Sequence, residues 1–393
     1  MARRSMETVA AHVGEDLVPA ATRPVSMPIY QTSVFAFPDL DTVEAVYKGD
    51  SDAFLYSRMA HPNGSALEAA VAELEGGESG LAAASGMAVI NDVLCGTLGP
   101  GDHAVVTAEC YGGTFGLFEG PLRRRGVTVT YVAAADAPSV AEAIRPATRV
   151  VYVESISNPT TRVADVPALA ELYRERGLVL VVDNTFATPY LFQPLAHGAH
   201  VSLSSATKFL AGHSDVTAGV AAGTREIIGA ARSYHTTTGA TIDPFAAWLT
   251  LRGLKTLALR VQRHSENALR LARFLDGHGR VEKVFYPGLE SHLDHSLAAR
   301  LLPSGNGGML SFVVGGGMEG ANRFIRALKL CQFVPSLGDV GTTVSHPALT
   351  SHRAMSEEAR LRLGITGGMV RVSVGIEAVG DILADFEQAL AKI

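Results

Sequence analysis

Cysteine is scarce in this sequence, with three residues in 393 that lie far apart, at Cys95, Cys110 and Cys331. The number and spacing exclude a metal site built from paired cysteines and fit a protein of the reducing cytoplasm. We expect all three side chains to serve packing. Cys110 is of additional interest because it precedes Tyr111, a candidate site residue.

An excess of basic residues and long apolar runs are also missing. The formal net charge is −6, so no positive field attracts nucleic acid or anionic lipid, and any anion site must be built locally. No apolar run approaches the roughly 20 residues that a membrane-spanning helix needs, and no apolar segment follows Arg3 and Arg4 as in a signal peptide. We therefore expect a cytoplasmic protein that binds neither membranes nor nucleic acid, and no metal site.

The chain is long enough for two domains. Residues 1–60 show no sustained periodicity and contain four prolines, so we predict an N-terminal arm that lies on a neighbouring subunit. A large domain is predicted at 61–256 and a smaller C-terminal domain at 257–393.

Apolar, β-branched runs alternate with helical patterns in the large domain. The predicted strands are 104–107, 127–132, 150–153, 178–182, 201–204 and 219–222, and the predicted helices include 66–74, 89–98, 115–125 and 166–176. Such strands are typical of a mostly parallel sheet with helices on both faces. A long helical region, 244–275, leads to predicted strands at 307–314 and 370–375. The fold class is α/β, with a smaller C-terminal α+β domain.

Ligands of parallel sheets bind beyond the carboxyl ends of the strands, so the residues that follow each strand are candidates. Asp183 follows strand 178–182, and Lys208 lies in a hydroxyl-rich turn after strand 201–204. Each alone also fits a structural role, since aspartate caps helices and lysine is usually solvated.

Together these residues match what pyridoxal 5'-phosphate (PLP) requires. A buried carboxylate such as Asp183 keeps the pyridine nitrogen protonated, and a partly desolvated Lys208 loses its proton to form an imine. The phosphate needs a helix N-terminus and hydroxyl groups. Candidates for these phosphate ligands are Gly86, Met87, Ser205 and Thr207.

Over essentially its whole length the sequence resembles the cysteine and methionine metabolism PLP enzymes of fold type I. This group includes cystathionine γ-synthase, cystathionine γ-lyase, methionine γ-lyase and the O-acyl-homoserine sulfhydrylases. The motifs that carry the resemblance are Tyr56-Ser57-Arg58, Ser85-Gly86-Met87-Ala88, Tyr111-Gly112-Gly113-Thr114, Glu154-Ser155 with Asn158-Pro159, Val182-Asp183-Asn184-Thr185, Ser205-Ala206-Thr207-Lys208-Phe209 with Gly212-His213, and Arg371 to Glu377.

The resemblance implies a role for each site residue. Lys208 would hold the cofactor as a Schiff base and shuttle protons, and Asp183 would pair with the pyridinium nitrogen. Tyr111 would stack on the cofactor ring and assist at the leaving group, and Arg371 would bind the substrate α-carboxylate. Two residues would stand beside Arg371: Asn158 and Ser336.

Tyr56 and Arg58 match a pair that, in the family, reaches the phosphate from the neighbouring subunit. The resemblance therefore implies an active site shared across a dimer, in a homo-oligomer arranged as a dimer of dimers. It also implies γ-elimination or γ-replacement on sulfur amino acids or O-acyl-homoserines. We favour a γ-lyase or γ-synthase, with an O-acetyl- or O-succinyl-homoserine sulfhydrylase as the alternative.

Three positions depart from the family pattern. Gly113 stands where methionine γ-lyases usually carry cysteine, which weakens that assignment. Gly341 stands where a glutamate would hold the distal ammonium of cystathionine. His61 replaces the usual asparagine after the Tyr-Ser-Arg motif, and we interpret it as a solvated loop histidine.

Other functions are compatible with parts of the pattern. A fold-type-I aminotransferase would release a pyridoxamine form, which a half-reaction with a 2-oxo acid detects. A nucleotide-binding α/β protein would use Asp183 structurally, but no Gly-x-Gly-x-x-Gly follows the first strand and no Walker-type loop is present. In a cofactor-free scaffold, Lys208 would be inert.

The cofactor assignment predicts a spectroscopic signature. Purified protein is expected to show a visible absorption band from the imine, and borohydride is expected to abolish it by reducing the C=N bond. Protein without such a band would favour the nucleotide-binding or cofactor-free alternatives.

Overall fold

The computed structural model describes residues 5–13, 24–133, 135–174, 177–353 and 355–393. Two β-sheets organise this part of the chain. The first sheet comprises β1 (Ser79–Ala83), β2 (His103–Thr107), β3 (Thr128–Val132), β4 (Thr148–Glu154), β5 (Val179–Asp183), β6 (Val201–Ser204) and β7 (Gly219–Gly223).

The first sheet has the strand order β1-β7-β6-β5-β4-β2-β3. The neighbours from β6 to β3 pair in parallel, whereas β7 pairs antiparallel with both β1 and β6. The prediction of a mostly parallel sheet is confirmed. The parallel strands bring their carboxyl ends to one edge, where the candidate residues follow.

Helices cover both faces of this sheet. In β4, Val151 and Val153 face one apolar core, and Val150 and Tyr152 face the other. The helices are α1 (Met6–His12), α2 (Leu40–Lys48), α3 (Pro62–Glu75), α4 (Gly86–Thr97), α5 (Gly112–Leu117), α6 (Ala137–Ala143), α7 (Val166–Arg174), α8 (Thr188–Leu191), α9 (Arg225–Thr238), α10 (Pro244–Leu254), α11 (Leu257–Asp276), α12 (His295–Leu301), α13 (Gly317–Ala327), α14 (Glu357–Arg362) and α15 (Val379–Leu390).

A second, smaller sheet follows α11 and forms the α+β part of the fold. Its strands are β8 (Val281–Phe285), β9 (Met309–Val314), β10 (Gln332–Phe333), β11 (Thr343–Ser345) and β12 (Met369–Ser373). They run in the order β10-β11-β12-β9-β8. A separate apolar core that includes Phe312, Phe324 and Phe386 stabilises this layer.

One of the shorter predicted helices differs from the structure. The helix predicted at 115–125 ends as α5 at Leu117 and continues as a π-helical turn, Phe118–Leu122, that contains Pro121. Proline has no N–H and clashes with the carbonyl four residues earlier, which disrupts regular α-helix. The last two residues of the helix predicted at 166–176 lie outside the described residues.

The long helical region predicted at 244–275 is two helices, with Lys255 and Thr256 between α10 and α11. At the break, the carbonyl of Gly253 accepts hydrogen bonds from the Thr256 N–H at 3.2 Å and from Arg260 Nη2 at 2.7 Å. These bonds satisfy a helix C-terminus that would otherwise lack partners.

The N-terminal segment contains two helices that its irregular pattern did not predict. Helix α1 packs against α3 and α11 of its own chain. This part of the predicted arm therefore buries its apolar surface within its own subunit. Exposed apolar side chains follow, including Val25, Val34, Leu40 and Tyr47. Residues 1–4 and 14–23 of the predicted arm lie outside the described residues.

The interpretation of His61 as a solvated loop residue is wrong. Its side chain is 2% exposed and caps α3, with Nδ1 accepting from the Gly64 N–H at 3.1 Å. Nε2 lies 2.9 Å from the carbonyl of Ile242 and therefore donates to it. The sequence signal was the following Pro62, which favours the first position of a helix and makes residue 61 the cap.

The described residues include no helix that is long and apolar enough to cross a membrane.

His61→Ala is expected to lower stability by about 1–3 kcal/mol, because it removes a helix cap and leaves a buried carbonyl without its donor. Thermal unfolding measures the effect. His61→Asn is the matched variant, since asparagine restores the cap but does not replace the imidazole donor to Ile242. An unchanged midpoint for His61→Ala would contradict the capping role.

Candidate active site

A cavity of about 640 Å³ opens where the carboxyl ends of β4, β5 and β6 face the second sheet. Its volume lies in the range of small-molecule sites. Ten of the twelve predicted site residues line it. They are Gly86, Met87, Tyr111, Asn158, Asp183, Ser205, Thr207, Lys208, Ser336 and Arg371.

The other two predicted residues, Tyr56 and Arg58, are not among the residues that line this cavity. Arg58 Nη1 donates to the carbonyl of Thr236 at 2.6 Å, and its guanidinium lies 5.4 Å from the centre of the Tyr56 ring. The Tyr56 side chain is exposed. Within one chain, this pair is thus placed on the surface.

The N-terminus of α4 provides an anion-binding geometry. Ser85 Oγ accepts from the Ala88 N–H at 3.1 Å, and the N–H groups of Gly86 and Met87 belong to the first helical turn, which has no intrahelical acceptors. A Cβ on Gly86 would lie 2.7 Å from Ser205 Cβ. Glycine therefore allows the helix end to approach the hydroxyl-bearing turn closely, as a phosphate group requires.

Asp183 lies at the end of β5, where three donors fix its carboxylate. Oδ2 accepts from the Tyr152 hydroxyl at 2.9 Å, and Oδ1 accepts from the N–H and Oγ1 of Thr185 at 3.0 and 2.6 Å. Burial raises the pKa of Asp183, and the hydrogen bonds from Thr185 and Tyr152 oppose that rise. A cationic partner such as a pyridinium would further favour the ionised carboxylate.

Lys208 follows β6, and its Nζ donates to Ser336 Oγ at 3.0 Å. Burial, and then the positive charge of Arg371, lower the pKa of Lys208. The amine is therefore neutral in a larger fraction of molecules than a solvated lysine, which favours both imine formation and proton removal.

Arg371 lies on β12 and is only 4% exposed. Its Nη1 donates to Asn158 Oδ1 at 2.9 Å, and its Nη2 donates to the Ser336 carbonyl at 3.3 Å. Burial lowers the pKa of Arg371 to about 10, so the group stays charged at neutral pH. A guanidinium has five N–H donors, and the remaining ones can bind a carboxylate.

The sequence did not predict a role for Glu154, although it stands at the end of β4. One of its oxygens accepts from the Tyr111 N–H at 2.6 Å and the other from the Asn158 N–H at 3.2 Å. Burial, and then the neighbouring Asp183, raise the pKa of Glu154. This carboxyl group thus fixes the backbone on both sides of the cavity. Its strand-end position was the available signal.

Two departures from the family pattern have a structural description. A Cβ on Gly113 would lie 2.5 Å from Cε1 of Tyr111 and 2.9 Å from the sulfur of Met87, so any side chain there would displace the tyrosine ring. Gly341 lies outside the set of residues that line the cavity. Cys110 is buried, as are Cys95 and Cys331.

The donor set fits PLP. It offers helical N–H groups and hydroxyls for a phosphate, a buried carboxylate for a pyridinium, and an amine for an aldehyde. In the described part of the chain, no group of three or more histidine, cysteine, aspartate or glutamate residues is arranged to hold a metal ion.

Comparison with known proteins identifies the same chemistry. The family model described as Cys/Met metabolism PLP-dependent enzyme matches residues 7–391. The chain is 42% identical over 365 residues to an L-methionine gamma-lyase of Pseudomonas putida, covering 92% of each protein. It is 39% identical over 389 residues to an O-succinylhomoserine sulfhydrylase of Pseudomonas aeruginosa, covering 99% of this chain and 96% of that protein.

A solved structure shares the fold over almost the whole length. The cystathionine gamma-lyase of Lactobacillus plantarum, complexed with L-serine, superposes with a TM-score of 0.93 at 37% identity. The superposition covers 99% of both chains. The predicted fold class is confirmed.

Gly86→Ala is expected to weaken PLP binding at least tenfold, because the added methyl group forces the N-terminus of α4 away from Ser205. Cofactor retention after dialysis and a titration of the apoprotein with PLP measure this loss. Gly116→Ala in α5 is the matched control, since a Cβ there meets nothing within 4 Å. Equal affinity of the two variants would contradict the assignment of the α4 N-terminus to the phosphate.

Proposed function

The chain belongs to the family of Cys/Met metabolism PLP-dependent enzymes, and we propose that it catalyses γ-elimination or γ-replacement on sulfur amino acids or O-acyl-homoserines. The observation that carries the proposal is the pair of hydrogen bonds that Ser336 accepts. Its Oγ accepts from Lys208 Nζ at 3.0 Å, and its carbonyl accepts from Arg371 at 3.3 Å. One residue thus holds a proton-transfer group beside a carboxylate-binding group.

Each residue has an assigned task. PLP, when bound, withdraws electrons from the α carbon of the amino acid. Lys208 would hold the cofactor covalently before substrate arrives, and Asp183 would pair with the ring nitrogen. Arg371 binds the α-carboxylate with donors that Asn158 and Ser336 leave free. The phosphate ligands are those of the α4 N-terminus and the turn after β6.

Lys208 then transfers protons. Its neutral amine removes the proton from the α carbon and, once it has given that proton up and is neutral again, removes a proton from the β carbon. The bond from the γ carbon to its substituent breaks, and the substituent departs with the electron pair and a proton from the Tyr111 hydroxyl. In elimination, water completes the balance to give 2-oxobutyrate and ammonia. In replacement, a thiol sulfur bonds to the γ carbon as its proton passes to the Tyr111 oxygen, and Lys208 returns protons to the β and α carbons.

We favour a γ-lyase or γ-synthase, and an O-acyl-homoserine sulfhydrylase is the second candidate. Its support is the 39% identity to the P. aeruginosa O-succinylhomoserine sulfhydrylase. Gly113 and Gly341 argue against specialisation for methionine and for cystathionine, respectively. The choice depends on groups that contact the substituent at the γ carbon rather than on the fold.

We further propose that a second subunit completes the site in a cytoplasmic homo-oligomer. Tyr56 and Arg58 would contact the phosphate of the neighbouring subunit, and the exposed apolar side chains of residues 24–60 support an interface there. The domain boundary proposed at 256/257 coincides with the break between α10 and α11.

A substrate panel tests the reaction class. Incubation with L-methionine, L-cystathionine, L-homocysteine, and O-acetyl- or O-succinyl-L-homoserine, with and without a thiol, is expected to yield 2-oxobutyrate or a thioether. Quantification of both products separates elimination from replacement. Lys208→Ala should abolish both, because it removes the proton-transfer amine. The absence of both products from the wild-type holoenzyme would refute the proposed γ-chemistry.

A further inference from the structure

One wall of the cavity is a short segment, Leu349–Arg353, which begins at the last residue of the 3₁₀ turn Pro347–Leu349. Leu349, Thr350, Ser351 and Arg353 all line the cavity. The segment is held mainly by local bonds. Thr350 Oγ1 donates to the His346 carbonyl at 2.9 Å, and the His352 N–H donates to the Pro347 carbonyl at 3.0 Å. The segment therefore presents Arg353 to the cavity on a fixed backbone.

Arg353 lies at the mouth of the cavity, because its side chain is exposed and also lines the cavity. Its backbone N–H donates to the Thr350 carbonyl at 3.3 Å. Among the described residues, no hydrogen bond or ion pair of its guanidinium is observed. Its five N–H donors are thus available to a ligand.

The carboxylates of the cavity do not serve as partners for Arg353. The two carboxylates among the lining residues are Glu154 and Asp183. Glu154 accepts from two backbone N–H groups, and Asp183 accepts from Tyr152 and Thr185. Both are committed to the structure around the cofactor site.

The cavity therefore has two guanidinium groups with different surroundings. Arg371 is buried and bonded to Asn158 and Ser336, which suits it to the α-carboxylate that every amino-acid substrate carries. Arg353 is at the mouth, where the end of a long substituent on the γ carbon would lie. A second guanidinium there is complementary to a second negative charge on the substrate.

We propose that Arg353 binds an anionic group at the far end of the γ-substituent, so that the enzyme prefers substrates whose leaving group is a dicarboxylic half-ester or a phosphate ester. This inference rests on the proposed function. Carboxylate and phosphate each offer a guanidinium at least two anionic oxygens, and Arg can bind either in bidentate fashion. A neutral substituent gains nothing from Arg353.

The test compares three esters with the holoenzyme. O-acetyl-L-homoserine has a neutral substituent, O-succinyl-L-homoserine ends in a carboxylate, and O-phospho-L-homoserine ends in a phosphate. Arg353→Gln is expected to lower kcat/KM at least tenfold for one or both anionic esters and less than twofold for the acetyl ester. Arg353→Glu should lower it further, because it reverses the charge.

The control is Arg362→Gln, which removes an exposed guanidinium on α14 that pairs with Glu358 and lies outside the set of cavity-lining residues. It should leave all three values within twofold. A loss confined to the succinyl ester identifies a carboxylate, and a loss confined to the phospho ester identifies a phosphate. Equal losses on all three esters, or none, would overturn the role of Arg353.

A binding measurement separates this inference from the proposed function. L-2-aminoadipate ends in a carboxylate and L-norleucine is uncharged there, and neither has a leaving group at the γ carbon. Titrations followed by the absorbance of bound PLP should show that Arg353→Gln weakens aminoadipate at least fivefold and leaves norleucine unchanged. If the proposed γ-chemistry is wrong, the wild-type enzyme forms no product from any ester. The titrations do not depend on turnover, so they still test the role of Arg353 in that case.

Discussion

The buried guanidinium of Arg371 joins the two sheets of the molecule. It projects from β12 of the smaller sheet and donates to Asn158, which follows β4 of the larger one. Removing a charge from water costs several kcal/mol unless hydrogen bonds replace the lost hydration. The bonds to Asn158 and Ser336 offset part of that cost, and a substrate carboxylate offsets more. In the proposed function, the charge that links the two sheets is also the charge that binds the substrate carboxylate.

Glu154 extends this constraint to the cofactor side. Its two oxygens accept from the backbone of Tyr111 and of Asn158, so Tyr111 and the residue that supports Arg371 share one anchor. Pairing in register places Glu154 beside Asp183 on adjacent strands. Tyr111, Asp183 and the Asn158–Arg371 pair are therefore held around one residue, which is the preorganisation that the proposed catalysis needs.

The sequence predicts the parallel strands well because continuous β-branched runs have few other uses. It does not predict β10 or β11, which have two and three residues, or the helices α1 and α2. Ten of the twelve predicted site residues line one cavity, as their motifs imply. The sequence does not predict the bond from Tyr152 to Asp183, because Tyr152 lies in a run of buried residues, Val150–Glu154, whose sequence does not show which face each side chain occupies. The prediction for His61 was wrong because a helix cap is defined by the backbone around the residue and not by the polarity of its side chain.

The local bonding of Leu349–Arg353 has an evolutionary consequence. The segment that carries Arg353 is short and continuous in sequence, whereas the other residues that line the cavity come from distant parts of the chain. In the proposed role of Arg353, a substitution at this one position changes the preference among leaving groups and leaves the residues assigned to the shared chemical step in place. A duplicated gene for such an enzyme would thus need few substitutions, all in one short segment, to acquire a new substrate preference.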